Sequence, residues 1–157
     1  MKEKVKHYIK EVLLFLVVMT IFANVISFYK ANDLVKQPLD INYEFKSNKP
    51  ILIHFWATWC PTCKLEASNI QKISQDYEVL TIAVNSGSTK EIRKYMDERD
   101  LKFRFINDAD GYFAKKFNIS AYPTTFIYDK DKNLVFSEVG YTSTLGLYLR
   151  MWWAGFY

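Results

Sequence analysis

Apolar and polar positions alternate along this chain in a few distinct rhythms. Residues 12–29 (VLLFLVVMTIFANVISFY) run eighteen positions without a charge, and the polar Thr20, Asn24 and Ser27 fall in the second half. A helix of roughly 20 mostly apolar residues crosses a bilayer core, so this run predicts a transmembrane helix. Residues 30–49 turn polar, and a short alternation at Leu39, Ile41, Tyr43 and Phe45 reads as a tether ending in a candidate edge strand. ILIHFWA, residues 51–57, is then almost continuously apolar over the length of one strand. Such a run buries both faces, as at the centre of an α/β sheet.

Beyond it the period lengthens. From Cys60 to about Tyr77, Leu65, Ile70 and Ile73 recur at loosely helical spacing. VLTIAV (79–84) is a second buried strand, and Ser88 with Glu91 three residues on forms a capping box for a helix to about Arg99. KFRFI (102–106) alternates as a strand, and Asn107 to Gly111 is a turn capping a short helix, Tyr112 to Phe117. Residues 124–129 and 134–139 pair as a hairpin across Asp129–Asn133, and Thr142 or Ser143 caps a last helix. The leading β-α-β-α order implies a right-handed parallel unit. The expected organisation is therefore a head and anchor over residues 1–30, a tether over 31–48, and one α/β domain over 49–157.

Charge sharpens the N-terminal reading. Of the net +4, residues 1–30 hold +3, from Lys2, Lys4, Lys6, Lys10 and Lys30 against Glu3 and Glu11. The basic excess is local, so no nucleic-acid surface is expected. Four lysines precede the apolar run, which places the N-terminus in the cytoplasm and the domain outside. A cleaved signal peptide is the competing reading, although Val25-Ile26-Ser27 is a poor cleavage site; both readings export the domain. Hydrophobic residues make up 50% of the chain, enough for a sizeable core.

The candidate chemistry is the pair Cys60 and Cys63, the only cysteines, placed where a buried strand gives way to a helix. A thiol at a helix N-terminus faces free N–H groups and the positive end of the dipole, which favours its thiolate. A second thiol one turn on can attack any mixed disulfide the first one makes. A structural bridge this short closes too small a loop to stabilise much, and zinc would need ligands beyond His7 and His54. Redox exchange is expected, with no cofactor and no resident metal. Two readings from other classes stay open: copper handling by two thiolates, and a client-binding module without catalysis.

FWATWCPTC (55–63) after a buried strand, and Tyr122-Pro123-Thr124-Thr125 before a hairpin, resemble the thioredoxin fold. More narrowly, the chain is similar to membrane-anchored extracytoplasmic thioredoxin-like proteins, which include the cytochrome c maturation thioredoxins, and most of all to the suppressor-of-copper-sensitivity D group of protein disulfide oxidoreductases. Asn107-Asp108, Gly111 and Val139-Gly140-Tyr141-Thr142 carry the resemblance outside the cysteines, over roughly residues 39–157. It implies a central mixed sheet flanked by helices, an exposed attacking Cys60, a resolving Cys63, and a cis-proline at Pro123 whose loop holds substrate beside Tyr122. It also implies exported protein substrates and a transmembrane redox partner on the same face, with a reductant or isomerase-type role. Residues 12–29 would meet membrane lipid.

Some positions carry two readings. His54 stands where many thioredoxins carry a buried acid. It would take the proton from Cys63, or it is a hydrogen-bonded core histidine. Glu66 would raise the thiol pKa and join His54 as a proton relay, or it is solvated helix surface; Ala67-Ser68 follows where relatives often carry a proline. Trp59 would contact partners, whereas Trp56 reads as packing. Trp152, Trp153, Phe156 and Tyr157 would complete the core from the last helix, or meet a membrane interface or a partner.

Overall fold

In the computed structural model the described residues are 7–15, 17–19, 21, 22, 25, 41, 43, 45 and 49–156. The apolar run after Pro50 forms β1 (Ile51–Trp56), buried at every position. Around it stand α1 (Pro61–Asp76), β2 (Glu78–Val84), α2 (Thr89–Asp97), β3 (Arg104–Asp108), α3 (Tyr112–Lys116), β4 (Thr124–Tyr128), β5 (Leu134–Val139) and α4 (Thr144–Ala154). The five strands lie in the order β3-β2-β1-β4-β5, with β1, β2 and β3 parallel and β4 and β5 antiparallel to their neighbours. This is the mixed, helix-flanked sheet that the resemblance implies.

Strand alternation divides the core in two. Leu52, Trp56 and Val79 face one side with Ile70 and Ile73 of α1, Ile92 of α2 and Met151 of α4. Ile51, Ile53 and Phe55 face the other, against Ala114 of α3 and Phe117 just after it. Burying a branched or aromatic side chain of this kind stabilises by about 1.5–3 kcal/mol, which is why the alternation sets the register.

Several boundaries move. β3 begins at Arg104, two residues later than expected, because Leu101 and Phe103 turn into the core ahead of the strand. It also runs on through Asn107 to Asp108, which had read as a turn. The buried Asp108 carboxylate accepts the N–H groups of Phe113 (3.1 Å) and Ala114 (2.9 Å), taking over the cap of α3. Gly111 supplies the left-handed residue just before that helix, φ 72°. The capping box of α2 is present: Ser88 Oγ accepts from Glu91 N–H, and the Glu91 carboxylate accepts from Ser88 N–H. Ser143 rather than Thr142 caps α4.

The N-terminal expectations are met less directly. Residues 12–15, 17–19, 21, 22 and 25 are helical and exposed, while the other positions of the expected span lie outside the described residues. Among the described residues, no helix is long and apolar enough to cross a membrane. The candidate edge strand is not formed at Ile41, Tyr43 or Phe45. Their alternate side chains instead pack on the α3 face from outside the sheet, and Arg104 donates to the Tyr43 hydroxyl at 2.6 Å.

Candidate functional site

The site forms where β1 ends. Ala57 and Thr58 turn the chain, the Cys60 N–H donates to the Ala57 carbonyl at 3.2 Å, and Cys60 becomes the N-cap of α1 with Pro61 opening the helix. Proline suits that position because its missing N–H would have had no helical partner there. Cys60 Sγ accepts the Cys63 N–H at 3.1 Å. The two sulfurs are joined as a disulfide, their Cα atoms 5.3 Å apart. A reduced Cys60 thiolate would sit on the same N–H at the positive end of a sixteen-residue helix, so the local geometry favours its ionised form.

Two loops hold this turn from either side. From the end of β2, Ser86 Oγ accepts the Thr58 N–H at 3.0 Å, and the Asn85 carbonyl accepts the Trp59 indole N–H at 3.1 Å. On the other side is the Tyr122–Pro123 bond, which is cis as expected. The Tyr122 carbonyl oxygen lies 3.6 Å from Cys60 Sγ, and the Pro123 carbonyl accepts the Gly140 N–H at 2.8 Å. The Trp59 and Tyr122 rings meet edge to face, centroids 5.7 Å apart. The structure therefore gathers Trp59, Cys60, Cys63, Tyr122 and Pro123 at one end of the sheet.

One expectation needs correction at the thiol itself. Cys60 is only 4% exposed, because the Tyr122–Pro123 loop covers it; the exposed part of the site is Trp59, at 57%. Attack at Cys60 therefore needs the Tyr122–Pro123 side of the site to give way to the incoming group. Trp56 is buried, its indole N–H donating to Thr81 Oγ1 at 3.0 Å, as the packing reading holds.

Glu66 is not solvated helix surface. The inner stripe of α1 is Cys63, Glu66, Ile70 and Ile73, while Leu65 points outward at 72% exposure. Glu66 is fully buried beneath the dithiol's helix. One carboxyl oxygen accepts the Thr142 N–H at 3.0 Å, and the other has no partner among the described residues. Burial pushes its carboxyl up to about 8, held back in part by the Thr142 N–H. At neutral pH this carboxyl therefore holds its proton.

Of the two readings of His54, the geometry fits the core histidine and not the proton acceptor. It is buried on the α1 side of β1, its Nδ1 is 2.9 Å from Thr125 Oγ1 on the facing position of β4, and burial pulls it down to about 3. The imidazole stays uncharged at neutral pH, a hydrogen-bonded core histidine. Two supporting residues escaped sequence reasoning. Ser86 holds Thr58, and Asn69 of α1 donates to the Thr142 carbonyl at 3.0 Å and accepts from the Thr144 hydroxyl at 2.7 Å. Only Asn69 had a signal, the three-residue step from Glu66 along the same helix face.

The comparisons with known proteins agree with this geometry. A thioredoxin-like protein of Haemophilus influenzae is 35% identical over 112 residues, covering 70% of this chain and 66% of that protein. Sporulation thiol-disulfide oxidoreductase A of Bacillus subtilis is 29% identical over 108 residues, covering 64% and 65%. The solution structure of a putative thioredoxin from Neisseria meningitidis superposes with a TM-score of 0.61 at 29% identity, over 69% of this chain and 75% of that one. The chain spans between 51% and 66% of the length of the curated relatives it matches first. The Redoxin family pattern matches residues 29–146, most of the sequence and the whole of the dithiol site, and the chain belongs to that family.

Proposed function

We propose that this protein is a thiol-disulfide oxidoreductase that exchanges disulfides with exported proteins from the outer face of a bacterial cytoplasmic membrane. The observation that carries the reading is the Cys60–Cys63 disulfide on the N-terminus of α1, laid against the Tyr122–Pro123 loop. In the reducing direction, the Cys60 thiolate attacks one sulfur of a substrate disulfide, forming a mixed disulfide and releasing the other substrate sulfur as a thiolate that takes up a proton. Cys63 then loses its proton and attacks Cys60 Sγ. The bond to substrate breaks, the second substrate sulfur leaves reduced, and the Cys60–Cys63 disulfide remains. In the oxidising direction the same steps run backwards.

Around that exchange the residues take distinct roles. Trp59, Tyr122 and Pro123 form the walls against which an extended substrate segment lies, its backbone reaching the loop beside Cys60. Glu66, three residues beyond Cys63 on the same buried face, exchanges the proton that Cys63 gives up, since its carboxyl titrates within a unit or so of neutrality. His54 supports the β1–β4 contact instead.

The finer reading rests on the sequence. The uncharged run 12–29 behind a lysine-rich head supports a single-pass anchor with the domain over 49–157 outside, joined by residues 31–48. The extracytoplasmic space is where disulfides persist and need breaking or correcting. The resemblance to the suppressor-of-copper-sensitivity D group and the cytochrome c maturation thioredoxins favours a reductant or isomerase-type role fed by a transmembrane electron donor. Cys63→Ala expressed in cells tests the proposal. Mixed disulfides with exported proteins should accumulate and dissolve on reduction. An absence of reducible adducts, with copper bound stoichiometrically to the wild type, overturns it in favour of metal handling.

A further inference from the structure

The last helix is apolar on two opposite sides. Leu147, Met151 and Ala154 are buried and complete the core, as one of the two readings of this segment requires. Trp152, Trp153 and Phe156 do not join them, and Tyr157 lies outside the described residues. Leu145, Leu149, Trp152 and Phe156 follow at steps of four, three and four residues on the outward side, and are 56–68% exposed, with Trp153 beside them at 51%. The one charged residue of α4, Arg150, is bound to Glu138 through Nε at 3.0 Å and Nη2 at 2.9 Å. A surface helix ordinarily turns charged or polar residues outward, and a continuous exposed apolar row marks a contact surface.

The position of this row says what it meets. Lys49, Pro50, Trp152, Gly155 and Phe156 line one groove of about 670 Å³, and Pro50 Cγ packs within 3.7 Å of where a Cβ on Gly155 would stand. The chain thus joins the fold beside the aromatic end of α4. Tyr43, held by Arg104 at the first residue of β3, lies toward this same N-terminal end of the parallel strands. Between the apolar run 12–29 and Ile41 there are only residues 30–40, which reach at most about 40 Å even when fully extended. Asp76, the end of α1, lines the same groove, and Cys60 caps the start of that helix. The dithiol and the aromatic end therefore sit at opposite poles, about 24 Å apart along sixteen helical residues.

We infer that Trp152, Trp153 and Phe156 rest in the headgroup region of the bilayer, so that the domain stands on the end of its last helix with the dithiol held away from the membrane. The inference rests on the anchored reading of residues 12–29. Indole and phenyl rings at the end of an apolar row are the side chains that settle at a membrane–water interface. A second copy of the chain would equally cover apolar surface. The bilayer is favoured because the row ends where the tether arrives.

The test uses the full chain reconstituted in phosphatidylethanolamine–phosphatidylglycerol vesicles, with and without lipids brominated just below the headgroup. Two of the four tryptophans, Trp56 and Trp59, lie in the core or at the dithiol pole, so quenching by bromine reports on Trp152 and Trp153. Brominated lipid should lower the emission roughly twofold in the wild type and scarcely at all in Trp152→Phe/Trp153→Phe. Resistance to alkaline carbonate extraction scores the anchor separately. A carbonate-resistant protein with unquenched emission overturns the contact and leaves the anchor standing. Quenched emission from an extractable protein keeps the contact and overturns the anchor. Loss of both overturns both, and unquenched emission with cross-linking between copies assigns the row to a dimer.

Discussion

Glu66 makes the folded protein sensitive to alkali. Its carboxyl is fully buried and titrates at about 8, whereas the unfolded chain returns it to about 4.5. Between those values the folded protein holds a proton that the unfolded chain has released, so stability falls as pH rises through the window. Each pH unit within it costs about 1.4 kcal/mol. His54 works with the opposite sign. Its folded value of about 3 lies below the ordinary 6.5, so the unfolded chain holds the extra proton in that interval and stability rises with pH. The two slopes oppose each other from 4.5 to 6.5, and above 6.5 that of Glu66 stands alone. From pH 6.5 to 8 the oxidised wild type should lose about 2 kcal/mol. Glu66→Gln keeps an oxygen for the Thr142 N–H and removes the titration, so its stability should stay level over the same interval. Denaturant unfolding of the full chain in a non-ionic detergent, followed by circular dichroism, measures both. A wild type as level as the variant would show that Glu66 is already ionised or reached by water, and would remove its role as a proton store beneath the dithiol.

The same assay isolates His54. In the Glu66→Gln background, stability should fall by about 3 kcal/mol from pH 6 to pH 4, and adding His54→Gln should remove that fall; an unchanged acid slope in the double variant would refute the burial argument. Ser86→Ala leaves the Thr58 N–H without its acceptor and should cost about 1–3 kcal/mol, with slower exchange as the Trp59 turn loosens. Stability lost without any change in exchange rate would show that Ser86 supports the fold alone.

Much of the fold was legible because its signals are local. The run 51–56 needed only its own residues to read as a central strand, and Ser88 with Glu91 needed only their spacing. The failures lie where partners distant in sequence decide. Leu65 drew the stripe of α1 out of phase, since a leucine reads as core and a glutamate as surface; the sheet and Thr142 settle that Glu66 faces inward. β3 slipped by two residues because its pairing with β2, Leu80 opposite Arg104, sets its start, and alternation cannot. At the site, the cysteines and Pro123 were marked by motif. The cover over Cys60 and the contact of His54 with Thr125 depend on the register between β1 and β4, which no stretch of either strand reveals alone.

The proposed exchange is ordered, with Cys60 attacking and Cys63 resolving. Mass spectrometry of the full chain mixed with a peptide disulfide, after reduction and removal of reductant, tests that order directly. Cys63→Ala should carry one peptide on Cys60 that persists, the wild type should release reduced peptide and end as the Cys60–Cys63 disulfide, and Cys60→Ala should form no adduct at a comparable rate. Adduct formation on Cys63 in the Cys60→Ala variant, as fast as on Cys60 in Cys63→Ala, would contradict the assignment of attacking and resolving thiols.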